Sequence, residues 1–227
     1  GGLGNVSDLD NSSVWESLGD QLNKANENST LIFTGDNVTK KQDNWDFDKQ
    51  LLDKQVDLTK GFRGRTFFIP GNNEWKSKNT EDVEEIENYV KDMDLENVDF
   101  FPENACPIER IQLSDKLILV LVDSRWFVSN WSRVKNINKK CTDIVTRQRF
   151  VEELEDAIDD NLDKNIVIAM HHPVFSNGQY AGKKTFKDHM TPIPVLGTLT
   201  EGFKDLAAYD PEHLNSRRYN YLRVFVT

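Results

Sequence analysis

Phe67-Phe68-Ile69-Pro70-Gly71-Asn72-Asn73-Glu74 is the stretch whose reading decides the fold. It is a short apolar run that stops at a polar turn. Phe67 to Ile69 has the make-up of a buried strand. Pro70 ends it, and Gly71 lets the backbone turn sharply. Two amides and a carboxylate then stand where the carboxyl end of a parallel strand delivers side chains to a cleft. The same order occurs twice more. Leu31-Ile32-Phe33-Thr34 runs into Gly35-Asp36-Asn37, and the run from Asn165 to Met170 ends in His171-His172-Pro173. Three strands ending at the same rim of a single sheet would share one site, and the residue types gathered there are those that hold metal.

The elements around these strands read as an α/β chain. Val14, Trp15, Leu18 and Leu22 give a helix over 14–27. A charged amphipathic segment, Phe47 to Lys60, reads as a crossover helix stopped by Gly61. Asn79-Thr80 opens a helix over 81–93, and Thr142 opens another reaching about Leu162. Val98 to Phe101 is a short strand. Ile108–Leu113 and Lys116–Val122 flank Ser114-Asp115 as a hairpin, so the sheet is mixed. Asp123 to Lys140 reads as a long loop with Trp126, Phe127 and Trp131 in it. Ser176–Lys184 reads as a loop, Phe186–Thr200 has weak periodicity, and 203–208 and 211–226 read as helices, the second opening with Pro211. No repeat, linker or low-complexity segment interrupts the 227 residues, which read as a single domain over 1–227.

A formal net charge of −10 and a pI near 4.9 oppose binding to nucleic-acid backbones, and no nucleic-acid partner is expected. They leave phosphorylated small molecules open, because a bound cation reverses the local sign. No apolar run approaches the roughly 20 residues that span a bilayer. Gly1-Gly2-Leu3-Gly4 has the composition of mid-loop sequence or of a tag remnant. Cys106 and Cys141 either form a disulfide or are two unrelated thiols. A disulfide would close a loop of about 35 residues, contribute roughly 3–4 kcal/mol and place the chain outside the reducing cytosol. Asn5, Asn11, Asn28, Asn37 and Asn130 each begin an Asn-x-Ser/Thr triplet, which an Asn-rich chain also produces by chance.

Each site residue also has a plain structural reading. Asp36 is either a carboxylate that bridges hard cations or a turn residue bonding its own backbone. Asn72 either offers an amide oxygen to a metal or sits in a left-handed turn beside Gly71. His171 and His172 are either ligands, with the second ring nitrogen held by a neighbour, or satisfied core histidines. Adjacent strand residues point to opposite sides, which favours one histidine of the pair over the other.

Taken together, Gly35-Asp36, Gly71-Asn72-Asn73-Glu74 and His171-His172-Pro173 resemble the calcineurin-like metallophosphoesterases, in particular the bacterial branch near the purple acid phosphatases. The resemblance runs from Gly1 to about Pro173, and Asp123 to Trp126 is similar to the segment that those relatives place after a central strand. It implies a four-layer αββα sandwich with central mixed β-sheets flanked by helices. It implies two divalent metal ions (Fe, Mn, Zn or Mg), with Asp36 bridging them and Asn72 and His171 as further metal ligands. Asn73 falls where the family has its catalytic histidine, and Glu74 falls where a carboxylate orients the turn; both belong to the implied catalytic set. His172, with Asn73, would face the substrate phosphate. Thr39 lies near the position of a tyrosine ligand in the purple members, so no purple colour is expected.

The family's opening Asp-x-His and closing Gly-His-x-His motifs are not in the sequence, so the chain is read as an excerpt of the domain. Asn73 can bond a phosphate oxygen but cannot donate a proton as an imidazolium can. The implied function is hydrolysis of phosphate esters, better with acidic leaving groups. The competing expectation is a catalytically quiet module with an envelope protein partner, using Trp126 and Trp131 as interface anchors. A nucleotide-binding domain ranks last, because the sequence has no glycine-rich phosphate loop. The expected location is the periplasm, cell envelope or extracellular space.

Overall fold

The computed structural model describes residues 12–39, 44–76, 79–131, 133–134, 137, 139–172 and 223–226. Helix α1 (Ser12–Lys24) precedes strand β1 (Thr30–Thr34), α2 (Trp45–Asp57) precedes β2 (Arg65–Ile69), and α3 (Thr80–Asp92) precedes β3 (Val98–Phe100). These three strands form one parallel sheet in the order β1-β2-β3, with α2 and α3 as the crossovers that parallel pairing requires. Strands β4 (Ile108–Ser114) and β5 (Leu117–Val122) form the antiparallel hairpin that the sequence predicts. After α4 (Ser124–Val128) and α5 (Arg147–Asp159), β6 (Asn165–Met170) returns parallel to β5, and β7 (Arg223–Val226) closes the second sheet antiparallel to β6.

The period-2 alternation of the strands sorts the core into layers. Phe67 and Ile69 of β2 meet Leu119 and Leu121 of β5 and Ala169 of β6 in one cluster between the two sheets. The intervening residues, Phe68 on β2, Val120 and Val122 on β5, and Ile166 and Ile168 on β6, belong to the cluster that contains the inner faces of the helices. That cluster includes Leu52 and Val56 of α2, Val83, Ile86 and Val90 of α3, and Phe150, Leu154 and Ile158 of α5. Because β2, β5 and β6 are apolar on both faces, they must be covered on both. The result is the expected arrangement of two central sheets flanked by helices.

Several boundaries differ from the expectation. Asp123 to Lys140 is not loop throughout. The Asp123 carboxylate accepts from the Trp126 amide and starts the short helix α4, and Trp126 is 1% exposed, with its indole donating to the Ile137 carbonyl. Trp131 is half-buried and packs edge-on against Trp126, so these rings serve the core and not an exposed docking face. Helix α5 starts at Arg147, capped by Thr146, whose hydroxyl accepts from the Arg149 amide; the Thr142 hydroxyl donates to Asp143 instead. Asn79 stands at the N-cap of α3 without a capping bond, since its amide reaches Glu81.

The end of the predicted helix over 211–226 is a strand over Arg223–Val226, where the free edge of β6 supplies hydrogen-bonding partners that outweigh local preference. The readings of Ser176–Lys184, Phe186–Thr200, 203–208 and the rest of 211–226 fall outside the described residues. Cys106 and Cys141 form a disulfide, which settles the two alternatives for that pair. No helix among the described residues is long and apolar enough to cross a membrane.

Candidate metal centre

The carboxyl ends of β1, β2, β5 and β6 converge. Their meeting is closer than ordinary side chains permit. A methyl group added at Gly35 would lie 2.6 Å from the Gly71 backbone and 2.7 Å from Nδ1 of His171, and one added at Gly71 would lie 2.6 Å from the Asp36 nitrogen. Gly35 and Asp36 also have positive φ, 81° and 55°. Glycine adopts that conformation freely, and aspartate tolerates it better than most residues. The turn throws the Asp36 side chain toward β6, where Oδ1 stands 3.6 Å from Nε2 of His171.

Asp36 and Asn72 come from the first sheet and His171 from the second. The site therefore sits where two sheets abut, and not at the rim of one sheet as the strand pattern alone suggested. A mixed sheet and two facing sheets give the same apolar strands, so strand composition could not separate them.

The His171 ring is fixed by its other nitrogen. Nδ1 lies 2.9 Å from the Thr34 carbonyl, which only accepts, so Nδ1 carries the proton. Nε2 then presents a lone pair toward the Asp36 carboxylate. It is buried and has no hydrogen-bond partner. Burial holds the His171 pKa below its usual value, partly opposed by the Asp36 charge and the Thr34 bond, so the ring is neutral near pH 7. A bare imidazole nitrogen and a carboxylate that face each other in a dry site leave place for a cation.

His172 is 0% exposed and is held at both nitrogens. The Ser124 hydroxyl lies 2.8 Å from Nδ1 and accepts from the His172 amide at 3.0 Å, and Nε2 lies 3.1 Å from Oδ1 of Asn72. One proton arrangement satisfies the set: Ser124 donates to Nδ1, and Nε2–H donates to Asn72. Burial first, then the charges of His171 and Arg125, keep the His172 pKa well below the usual value. His172 thus orients the Asn72 amide.

Glu74 is 0% exposed and holds the turns together. Oε2 accepts from the amides of Asp36 at 3.0 Å and Gly71 at 2.6 Å, and Oε1 from those of Asn37 at 2.6 Å and Val38 at 3.3 Å. Burial and the nearby Asp36 charge raise its pKa to about 7, against the lowering effect of those amides. Both oxygens are committed to backbone, so in this structure Glu74 positions the two turns. The Asn73 amide group donates to the Val38 carbonyl at 2.8 Å, and its backbone amide donates to Oδ1 of Asp36 at 3.0 Å. In this orientation Asn73 braces the loop after β1. Thr39 is tied to α2 through its amide, which donates to Asp48.

Asp36, Asn72 and His171 supply a carboxylate, an amide oxygen and a neutral imidazole, a set that fits a divalent ion. Among the described residues no group of three or more His, Cys, Asp and Glu side chains could hold a metal; one of the three candidate donors is an amide. Sequence reasoning missed Ser124 and the carbonyl of Thr34, which fix the two rings. It also missed Asp123, which accepts from the Trp75 indole at 3.0 Å and joins the turn after β2 to the end of β5. A buried strand ending in Asp-Ser was the available signal for Asp123 and Ser124.

A family model described as calcineurin-like phosphoesterase matches residues 5–196. The chain belongs to the calcineurin-like phosphoesterase family. No curated protein and no solved structure matches it. Membership carries metal-dependent phosphoesterase chemistry in general, with divalent ions and phosphorylated substrates. The strand ends that bear Asp36, Asn72 and His171 all lie inside the matched region. For this calcineurin-like phosphoesterase, the purple acid phosphatase-like branch is an expectation of the sequence alone.

Proposed function

We propose that this chain hydrolyses phosphate esters of small molecules at a dinuclear centre, with Asp36 between two divalent ions and Asn72 and His171 each completing one of the two coordination sets. The reading rests on one observation: the buried His171 Nε2 has no hydrogen-bond partner and stands 3.6 Å from the Asp36 carboxylate. When bound, the ions would supply Lewis-acid polarisation of the ester and a nucleophile generated from water. The chain's own residues do the rest. Thr34 keeps the His171 proton on Nδ1 and the Nε2 lone pair free. Ser124 and His172 aim the Asn72 oxygen. Glu74 fixes the Gly35 and Gly71 turns.

With the Asn73 amide donating to Val38, the Gly71 turn offers no proton donor for the departing alcohol. Lacking a general acid typically costs roughly 10²–10⁴ in rate, so acidic leaving groups are favoured. The Cys106–Cys141 disulfide supports an oxidising compartment, outside the cytosol, as the place of work.

Two measurements test the reading. Elemental analysis of purified protein should find close to two metal equivalents per chain, and the Mn²⁺-loaded protein should hydrolyse aryl phosphates faster than alkyl phosphates. Absence of bound metal would end the proposal. Equal rates on both ester types would remove the argument from Asn73.

A further inference from the structure

Arg125 is the basic side chain that the proposed chemistry has not yet used. It follows Asp123 and Ser124, so it leaves α4 beside the hydroxyl that holds His172. Arg125 is half-buried, and its Nε is buried without a hydrogen-bond partner. Among the described residues no ion pair or hydrogen bond to the guanidinium is made. The other buried or half-buried cations nearby are committed: Lys76 pairs with Asp48, and Arg147 donates to the carbonyls of Phe127 and Ser129. Leaving an arginine donor buried and unpaired is costly, and here, unlike Arg110, the rest of the guanidinium has no partner in the fold either.

Its surroundings say where that partner lies. Burial lowers the Arg125 pKa from its usual value, partly opposed by the charges of Asp123 and Asp36. Arg125 is therefore one residue along the chain from the hydroxyl that holds His172, and near enough to Asp36 to feel its charge. The Asn73 side chain is turned to the Val38 carbonyl and carries no charge. A phosphoryl group at Asp36, Asn72 and His171 would meet positive charge from the α4 side and none from the Gly71 turn. A guanidinium suits that place, since its planar fork bonds two phosphate oxygens at once.

We propose that Arg125 binds the non-bridging oxygens of the phosphoryl group at the Asp36–Asn72–His171 centre, supplying the positive charge that Asn73 does not. This rests on the metal-centre reading above. The experiment measures inorganic phosphate binding by calorimetry to Mn²⁺-loaded wild type, Arg125→Gln and Arg125→Lys, with metal content determined for each. The expected result is unchanged metal content, phosphate binding weakened about 10- to 100-fold in Arg125→Gln, and partial recovery in Arg125→Lys, whose ammonium cannot bond two oxygens in one plane.

Phosphate binding by Arg125→Gln within twofold of wild type, at equal metal content, overturns the inference and leaves the metal reading intact. If Arg125→Gln does not fold, Arg125→Lys decides, and wild-type phosphate affinity there overturns it. A wild-type protein that takes up no metal, or that takes up metal and binds no phosphate, also overturns it; only the first of these removes the metal-centre reading as well.

Discussion

Nε2 of His171 faces Oδ1 of Asp36 across 3.6 Å, and the two residues belong to different sheets. Neither atom can donate to the other while the ring proton sits on Nδ1. Replacing His171 by alanine, or Asp36 by asparagine, should therefore weaken metal binding by more than about 100-fold, beyond what the loss of an outer hydrogen-bond partner costs. Titration of the metal-free variants with Mn²⁺ or Zn²⁺ measures this. His171→Ala protein that retains wild-type metal content would exclude His171 as a ligand.

Glu74 accepts four backbone amides from the two turns that carry Asp36 and Asn72. Glu74→Ala leaves those donors in a dry site and should cost roughly 3 kcal/mol or more. Glu74→Gln should be nearly as damaging, because its NH₂ would point at amide donors. Urea unfolding of the metal-free variants gives the comparison. Wild-type stability in Glu74→Gln would mean that the second carboxylate oxygen is dispensable.

The buried Asp123 carboxyl is raised from 3.8 to about 7, chiefly by desolvation. In the folded protein it holds its proton to higher pH than in the unfolded chain. Its contribution to stability is thus complete below about pH 3.8 and is lost as pH rises to about 7, at up to about 1.4 kcal/mol per pH unit between them. Glu74, raised to about 7 as well, slopes the same way. Urea midpoints of the metal-free protein should fall over this window, and Asp123→Asn should flatten the slope without abolishing it. A slope unchanged in Asp123→Asn would place the proton uptake elsewhere.

The Cys106–Cys141 disulfide ties the segment after β3 to the loop before α5, closing a sequence separation of 35. By chain entropy alone, reduction should cost roughly 3–4 kcal/mol and lower Tm by at least about 5 °C. Calorimetry with and without a reductant tests this. Equal transitions would mean that the unfolded chain retains the constraint by other means.

The site was readable where chemistry and chain direction coincide. Gly35-Asp36, Gly71-Asn72 and His171 each follow a largely apolar strand, and a strand that is apolar on both faces must be covered on both, even where, like β1, it lies at the edge of its sheet. What could not be read was how each side chain is occupied. Asn73, Glu74 and His172 carry donors and acceptors suited to a substrate, yet in the fold they meet Val38, the turn amides, Ser124 and Asn72. Those partners lie 35 to 100 positions away or belong to the backbone, and no local pattern announces them. The two-sheet arrangement came from the family resemblance and not from the strands themselves, since β5 and β6 have the same kind of composition as β1 and β2. The cap of α5 was misplaced because Thr142 and Thr146 look alike locally, and the disulfide at Cys141 and the burial of Ile144 hold the chain out of helix between them.

Because Gly35, Gly71 and His171 touch across the seam between the two layers, any ion held there is gripped by both halves of the sandwich. Releasing it and parting the layers become a single event. A loaded centre thereby acts as a rivet through the domain, strengthening the whole fold in proportion to the logarithm of free metal concentration.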